Sequence, residues 1–354
     1  MALPRRAFLG AAVTDGELGV EITRLWPGSM ADRAGAEPGD LIRAFGDPIA
    51  SVAELVDACR RHTEGITTLV LERDDERREV AVDYVPFPEE KVAGAEVIYG
   101  EAAGLRTLEL APRAGATVEL VFLPGLPYES VDHALREGHA TARFLADLAR
   151  TGVASLRIER PGLGDSPGAP CHGFLDEQRA YRDALEARPR TRPRVLFGHS
   201  VGGMHAPMLA DLADGLIVYG TSARRWSDCL AASRDRQRAL HGLDPLAGPV
   251  GWPSERNKQF HEELDAVDLD AVWRSVDLPK LVVIGEHDWV VGEADQRALG
   301  GEALFLEGLD HAFASHPSKD ESLAQYGRGS YDERVATGCA EWLARAITSP
   351  GASR

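Results

Sequence analysis

The sequence Val195-Leu196-Phe197-Gly198-His199-Ser200-Val201-Gly202-Gly203-Met204 joins a short apolar run to a glycine-flanked serine and then to a helix-compatible segment, residues 203–213. This order predicts a buried strand, a tight turn and a helix, with Ser200 at the turn. Gly198 and Gly202 lack the Cβ atoms that would clash where strand and helix pack closely. The turn therefore lifts the Ser200 hydroxyl above the sheet edge, and the helix N-terminus offers the Val201 N–H to a developing oxyanion.

Length and composition limit the classes of protein that this chain can belong to. Its 354 residues are enough for two domains, and no apolar run approaches the length that spans a bilayer. The net charge of -17 argues against nucleic acid and anionic membrane surfaces as partners. The cysteines are far apart, so we expect reduced thiols and no metal site: Cys59, Cys171, Cys229 and Cys339.

The first residues resemble a twin-arginine export signal, because Arg5-Arg6 precedes an apolar stretch, residues 7–13. That stretch is barely long enough for a signal and ends at Thr14, and no small-residue cleavage site follows it. We interpret it as a folded strand and loop, and we predict a cytoplasmic protein.

Residues 1–86 have the pattern of a small α+β domain. A strand of alternating apolar and polar residues is expected over residues 20–25, and the turn Pro27-Gly28-Ser29 follows it. A short helix over residues 31–34 is followed by the turn Pro38-Gly39-Asp40. A strand over residues 41–45 then leads to a helix over residues 52–62, which Ser51 caps. With two final strands, this order resembles a PDZ domain of the type attached to bacterial proteases.

The resemblance implies a peptide-binding role, in which a peptide adds as an extra strand and backbone N–H groups hold its C-terminal carboxylate. The matching carboxylate loop is Phe8-Leu9-Gly10-Ala11, and we expect the ligand strand to lie against residues 20–24. The alternative is that the domain is a structural brace that binds no free peptide.

A short linker, residues 87–94, precedes a segment in which strand and helix patterns alternate, residues 95–348. This alternation predicts an α/β fold with a mostly parallel sheet covered by helices on both faces. Its first helix is expected over residues 131–150. Residues 222–276 interrupt the alternation between the sixth and seventh strands, where a helical lid is expected. Arg224 and Arg225 are expected to form a solvated basic corner, and the alternative is that they pair with an anionic substrate.

A serine nucleophile needs a base to take its proton and an acid to orient that base. An acid, Asp288, follows the apolar run at residues 281–284, and His311 follows the run at residues 303–306. The order Ser200, Asp288, His311 along residues 95–348 resembles the α/β-hydrolase superfamily, as does the loop at residues 160–166. The resemblance implies a catalytic triad of these three residues and no cofactor.

The neighbouring residues leave alternatives open. Glu286 competes with Asp288 for the acid role, and His316 competes with His311 for the base. Asp310 is expected to be a surface carboxylate, and His199 and His205 to be packing residues.

The second oxyanion donor should come from the loop Pro124-Gly125-Leu126-Pro127-Tyr128. The Leu126 N–H is the default donor. Tyr128 is the alternative, because Pro-Tyr at this place is similar to dipeptidyl-peptidase-like hydrolases that use a tyrosine hydroxyl. The loop lacks the His-Gly-Gly run of many lipases, which argues against a lipase.

These features predict a serine hydrolase that cleaves an ester or amide, including a peptide bond, through an acyl-enzyme. A thioesterase, acyltransferase or cyclase would use the same intermediate if the lid admits a different acceptor. A hypothesis from another class is a peptide-binding adaptor with an idle hydrolase domain. The expected partners are a small ester or a peptide C-terminus, and the oligomeric state stays open.

Overall fold

The computed structural model describes residues 3–348. The chain divides into two compact units, one of residues 1–89 with residues 164–168, and one of residues 90–163 with residues 169–354. The division lies within the linker expected at residues 87–94. Within the described range, no helix is both long and apolar enough to cross a membrane.

The first unit is an antiparallel sheet with two helices. Its elements are β1 (Ala11–Gly16), β2 (Gly19–Leu25), α1 (Met30–Arg33), β3 (Leu41–Phe45), β4 (Asp47–Pro48), α2 (Val52–Arg61), β5 (Ile66–Arg73) and β6 (Glu76–Asp83). The strand order is β1-β2-β3-β5-β6, and β4 pairs with β3. Ser29 and Ser51 cap α1 and α2, because each side chain accepts a hydrogen bond from the first turn.

The strand order corrects the expectation that a peptide strand would add to the sheet beside residues 20–24. Residues 20–24 belong to β2, which is paired on one side with β1 and on the other with β3. A ligand strand has no free edge along residues 20–22, because Val20 and Glu21 pair with β3, and the Ile22 N–H and carbonyl bond to Asp40 and Gly39. The free edge on this side of the sheet is β1.

The loop before β1 is tightly packed at Gly10. This residue has φ +65°, and a Cβ there would lie 2.1 Å from the Ser29 Cβ. The Phe8, Leu9 and Gly10 carbonyls accept hydrogen bonds from the Met30, Ala31 and Trp26 N–H groups. A bulky residue at Gly10 would therefore disrupt the fold of the unit rather than only fill a binding pocket.

Residues 5–7 are part of this first unit. Ala7 forms a β-bridge with Pro86, and Arg5 and Arg6 both form ion pairs with Asp165, at 2.5 and 3.1 Å. The Arg6 guanidinium also lies 3.7 Å from the centre of the Phe87 ring. The two arginines thus contribute to packing and charge pairing.

The second unit alternates strands and helices. Its first half contains β7 (Ala95–Ala102), β8 (Leu105–Pro112), β9 (Val118–Leu123), α3 (Ala140–Arg150), β10 (Val153–Ile158), α4 (Phe174–Ala187), β11 (Arg194–His199), α5 (Gly202–His205), a 3-10 helix (Ala206–Leu212) and β12 (Gly215–Tyr219). Its second half contains α6 (Trp226–Leu240), α7 (Lys258–Ala266), α8 (Leu269–Arg274), β13 (Lys280–Gly285), α9 (Glu293–Arg297), β14 (Glu302–Leu306), β15 (Ala314–Ser315), α10 (Lys319–Ala324), β16 (Ser330–Tyr331) and α11 (Arg334–Ala346).

The large sheet of this unit has the order β14-β13-β12-β11-β9-β10-β8-β7. Neighbouring strands from β14 to β10 run parallel, whereas β8 is antiparallel to both β10 and β7. Successive residues of β9 serve opposite faces, since Phe122 packs towards α3 and α11, and Val121 towards α4 and α8. Both faces are therefore buried, as the sequence predicts for an α/β fold.

Two helices differ from the sequence expectation. The helix expected at residues 131–150 begins only at Ala140. Its expected first part forms a loop, because Gly138 disfavours a helix and the N–H groups of Val131 and His133 bond to the Glu159 and Glu90 side chains. The helix after Ser200 becomes a 3-10 helix at residues 206–212, where Pro207 has no N–H to donate.

Candidate active site

Ser200 stands at the sharp turn between β11 and α5. Its φ of +54° is unusual for a residue with a side chain, and its N–H bonds to the Tyr219 carbonyl at 2.9 Å. A Cβ at Gly198 would lie 2.5 Å from the Gly202 carbonyl oxygen, and one at Gly202 would lie 2.0 Å from the Leu123 carbonyl oxygen. The glycines are therefore required for the turn that presents Ser200.

His311 and Asp288 form a buried pair. The His311 Nδ1 lies 3.0 Å from the Asp288 Oδ2, and the two residues are 3% and 1% exposed. The other carboxylate oxygen of Asp288 accepts hydrogen bonds from the Val290 and Val291 N–H groups. These bonds hold the carboxylate in place, and the carboxylate fixes the orientation of the imidazole.

Glu286 does not take this position. Its side chain is half exposed and accepts a hydrogen bond from the Gly308 N–H at 2.9 Å. The geometry therefore favours Asp288 as the partner of His311.

The loop that carries His311 is braced by Asp310. The sequence suggested a surface carboxylate, but Asp310 is fully buried, and its Oδ1 accepts hydrogen bonds from the Ala312 and Ala314 N–H groups. Its Oδ2 lies 3.1 Å from the His316 Nε2. The surface expectation is wrong, and the rival base His316 is bound to Asp310.

His199 bonds to the backbone of His311. Its Nε2 donates to the His311 carbonyl at 2.8 Å, and burial, with the neighbouring His311, lowers the pKa of His199 to about 3. The ring is therefore neutral near pH 7. The His311 ring also lies close to Gly220, where a Cβ would be only 2.6 Å from it.

Ser200 and His311 line one cavity of about 520 Å³. That volume fits a small organic molecule. Apolar side chains form much of the wall near Ser200: Phe122, Leu126, Met204, Trp226, Leu230, Val290 and Val291. Trp226 and Leu230 belong to α6, so the insertion at residues 222–276 contributes to the cavity wall as expected of a lid.

Arg224 and Arg225 do not face this cavity. Arg224 bonds to Asp295 at 2.6 Å, and Arg225 forms an ion pair with Asp265 at 2.6 Å. The alternative that they pair with an anionic substrate is wrong, because intramolecular carboxylates already neutralise both.

Two backbone donors at Ser200 are available for an oxyanion. Among residues 3–348, neither the Val201 N–H nor the Leu126 N–H makes a hydrogen bond. A Cβ on Gly125 would lie 3.4 Å from the Ser200 Cβ, so the loop that carries Leu126 runs against the serine. Such paired donors beside a nucleophile suit a tetrahedral oxyanion.

Tyr128 is not suited to that role. Its hydroxyl donates to the Pro161 carbonyl at 2.5 Å and accepts from the Cys171 N–H at 2.8 Å. The hydroxyl hydrogen is thus already used, and Tyr128 is absent from the cavity wall. The structure contradicts the tyrosine alternative.

A buried charge network that the sequence gave no sign of holds the Leu126 loop. Arg160 donates to the Pro127 and Glu129 carbonyls at 2.7 and 3.0 Å, and Arg256 donates to the Leu126 carbonyl at 3.3 Å. Both guanidinium groups pair with Glu177. The Leu126 loop and the insertion at residues 222–276, which contains Arg256, are therefore joined through the Glu177 carboxylate.

The network is well shielded from water. Burial alone would raise the pKa of Glu177, but Arg160 and the other partners hold it well below the usual range. Arg160 and Arg256 also stack on the Tyr128 ring, each at 4.6 Å from its centre. Tyr128 therefore packs the guanidinium groups together.

The described part of the chain, residues 3–348, contains no group of three or more His, Cys, Asp or Glu side chains placed to hold a metal ion. The cysteines named above are free thiols.

Comparison with known proteins identifies the family. The profile of the alpha/beta hydrolase family matches residues 120–339. The chain therefore belongs to the alpha/beta hydrolase family and is a hydrolase enzyme. A search of curated protein sequences found no match.

Solved structures with similar folds include three of low sequence identity. The esterase domain of a Rhodothermus marinus protein is 20% identical, with a TM-score of 0.47 over 71% of this chain and 98% of that one. Est1E from Butyrivibrio proteoclasticus, with ferulic acid bound, is 18% identical, with a TM-score of 0.48 over 71% of this chain and 100% of that one. TT1662 from Thermus thermophilus is 17% identical, with a TM-score of 0.47 over 71% of this chain and 97% of that one.

The role of Arg256 can be separated from its contribution to folding. Arg256→Lys keeps a charge beside Glu177 but loses the forked donor that also reaches the Leu126 carbonyl. We expect kcat for ester hydrolysis to fall about tenfold, with little change in the melting temperature. The control is Arg182→Lys, because Arg182 also joins a carboxylate, Asp211, to a backbone carbonyl, that of Met208. Met208 does not line the cavity, whereas Leu126 does. Equal effects of both variants on kcat would refute a role for Arg256 in positioning the loop.

Proposed function

We propose that this protein is a serine hydrolase that cleaves small esters through an acyl-enzyme. The observation that carries the proposal is that His311, which bonds to Asp288, lines the same cavity as Ser200. The turn holds Ser200 at φ +54°. The same three residues follow strands β11, β13 and β14, whose carboxyl ends meet at one edge of the sheet.

Each group has a distinct role in the proposed reaction. The Asp288 bond to His311 Nδ1 leaves Nε2 to take the proton from Ser200 Oγ as this oxygen attacks the ester carbonyl. The Val201 and Leu126 N–H groups stabilise the oxyanion that forms. The imidazolium returns its proton to the leaving alcohol, and a water activated by His311 then hydrolyses the acyl-enzyme.

The cavity favours an ester of a small molecule over a peptide bond. Its volume of about 520 Å³ and the apolar side chains of Met204, Trp226 and Leu230 suit a compact acyl or alcohol group. Hydrolysis of amides, including peptides, and transfer of the acyl group to an amine, alcohol or thiol are the alternatives. Product analysis with an added amine acceptor distinguishes transfer from hydrolysis.

For the first unit we propose a PDZ-like role in binding a peptide C-terminus. Within residues 3–348 the Leu9 and Gly10 N–H groups make no hydrogen bond, which supports a carboxylate loop at Phe8–Ala11. The peptide would add to the free edge of β1, beside α2, whose Val52 N–H bonds to Asp15 at the end of that strand. The free thiols fit a reducing compartment, which supports the proposed cytoplasmic location.

The nucleophile and the base are tested together. Ser200→Ala should abolish labelling by a fluorophosphonate and lower ester turnover by about four orders of magnitude or more, with folding intact. His311→Ala should be nearly as damaging. Near-wild-type turnover in the Ser200 variant would refute the whole site, and a folded wild-type protein without labelling would favour the adaptor hypothesis.

The role of Asp288 as the triad acid is tested by two matched substitutions, each of which replaces a carboxylate with its side-chain amide. Asp288→Asn removes the charge that orients His311, so kcat should fall by about three orders of magnitude. Glu286→Gln, two residues away, should leave kcat within about twofold, because the Glu286 carboxylate contacts the Gly308 N–H and the His287 ring, whereas His311 bonds to Asp288. The reverse ranking would transfer the acid role to Glu286.

Peptide binding is tested by calorimetry with one peptide as its free acid and as its C-terminal amide. The acid should bind about tenfold more tightly, because amidation removes the charge that the loop N–H groups would meet. Val56→Asp, one turn after Val52 on α2, should weaken this binding, whereas Leu18→Asp in the exposed β1–β2 turn should not. Equal binding of acid and amide would leave the unit as a structural brace.

A further inference from the structure

The cavity that contains Ser200 is lined by basic and imidazole side chains as well as by apolar ones. Four side chains from the loop before α3 and from α3 itself define a basic arm: His133, Arg136, His139 and Arg143. The loop is the segment that the sequence predicted as helix. Because it is a loop, it places several nitrogen-bearing side chains on the cavity wall.

One guanidinium of the basic arm forms no ion pair within the described part of the chain. Arg136 is neutralised by Glu129 at 2.7 Å. The Arg143 guanidinium, in contrast, makes no ion pair and no hydrogen bond with any residue in the described range 3–348, and the nearby Asp147 pairs with Arg150 instead. Its guanidinium lies 4.8 Å from the centre of the Tyr331 ring, which also lines the cavity. An unpaired cation at a cavity wall is notable in a chain whose net charge is -17.

One ring nitrogen of a buried imidazole in the arm also lacks a hydrogen-bond partner among residues 3–348. His133 is 6% exposed, and its Nδ1 makes no hydrogen bond within the described residues. Burial, with the nearby Arg157, lowers the pKa of His133 to about 2, so the ring is neutral and offers one donor and one acceptor. A buried polar atom without a partner costs free energy that a ligand can recover.

His139 completes the arm. Its ring stacks on His133 with centres 5.2 Å apart, and its Nδ1 accepts a hydrogen bond from the Thr141 N–H. The ring proton of neutral His139 is therefore on Nε2. The arm combines one guanidinium that has no ion pair in the described range with two polar imidazoles. Two carboxylates also line the cavity: Glu129, which pairs with Arg136, and Glu255, which belongs to the insertion at residues 222–276.

We propose that the basic arm binds a carboxylate of the substrate, so that the preferred substrates are monoanionic esters such as half-esters of dicarboxylic acids. The proposal rests on the proposed function and specifies its substrate class. Arg143 supplies the opposite charge, and the imidazoles supply hydrogen-bonding atoms of fixed position. A neutral ester of the same length would leave these groups unsatisfied.

The test compares nitrophenyl half-esters of dicarboxylic acids with nitrophenyl esters of monocarboxylic acids of matched chain length. Wild-type protein should prefer the best half-ester by about tenfold or more in kcat/KM. Arg143→Gln should remove this preference while kcat/KM for the neutral ester stays within about twofold. The control is Arg150→Gln on the same helix, because Arg150 pairs with Asp147 and lies outside the cavity, and it should keep the preference.

Binding to the Ser200→Ala protein gives a readout that does not depend on turnover. Calorimetry should show tighter binding of the half-ester than of the neutral ester, and Arg143→Gln in this background should remove the difference. Equal binding of both esters, or equal losses on both in the Arg143 variant, would overturn the proposal. Charge-dependent binding by a wild-type protein that hydrolyses neither ester would instead refute the proposed function and retain the basic arm.

Discussion

The structure of the site depends on how closely the backbone at Ser200 approaches its neighbouring strands. A Cβ at Gly202 would lie 2.0 Å from the Leu123 carbonyl oxygen, and the Ser200 N–H bonds to the Tyr219 carbonyl of β12. This contact brings the end of β9, and hence the Leu126 loop, against the serine. It also brings Ser200 close to Gly220, whose missing side chain makes room for His311. The backbone contacts thus bring together the proposed nucleophile, base and oxyanion donors.

A second constraint is electrostatic. Glu177 pairs with Arg160 and with Arg256, which belongs to the insertion at residues 222–276. Both arginines donate to carbonyls of the loop at residues 126–129. Removing one partner of such a buried network leaves an uncompensated charge, which costs several kcal/mol. The network therefore joins the insertion at residues 222–276 to the loop that carries Leu126.

The sequence predicted much of the fold and the order of Ser200, Asp288 and His311, because glycine spacing and apolar strands are local signals. It did not predict the network around Glu177, since its members are 17 and 79 residues apart along the chain and share no motif. The buried state of Asp310 and the loop around His133 were missed for a similar reason. In both places tertiary hydrogen bonds decide the conformation, and local propensity does not show them.

The central claim is that Ser200 forms an acyl-enzyme during ester cleavage. The most direct measurement is a rapid-mixing experiment with a nitrophenyl ester, followed by quenching and intact-mass analysis. The account predicts a burst of nitrophenol equal to the enzyme concentration when deacylation is slower than acylation, and a mass increase of one acyl group on the peptide that contains Ser200. Acylation at another residue, or turnover with no acyl adduct under conditions that trap it, would contradict the account.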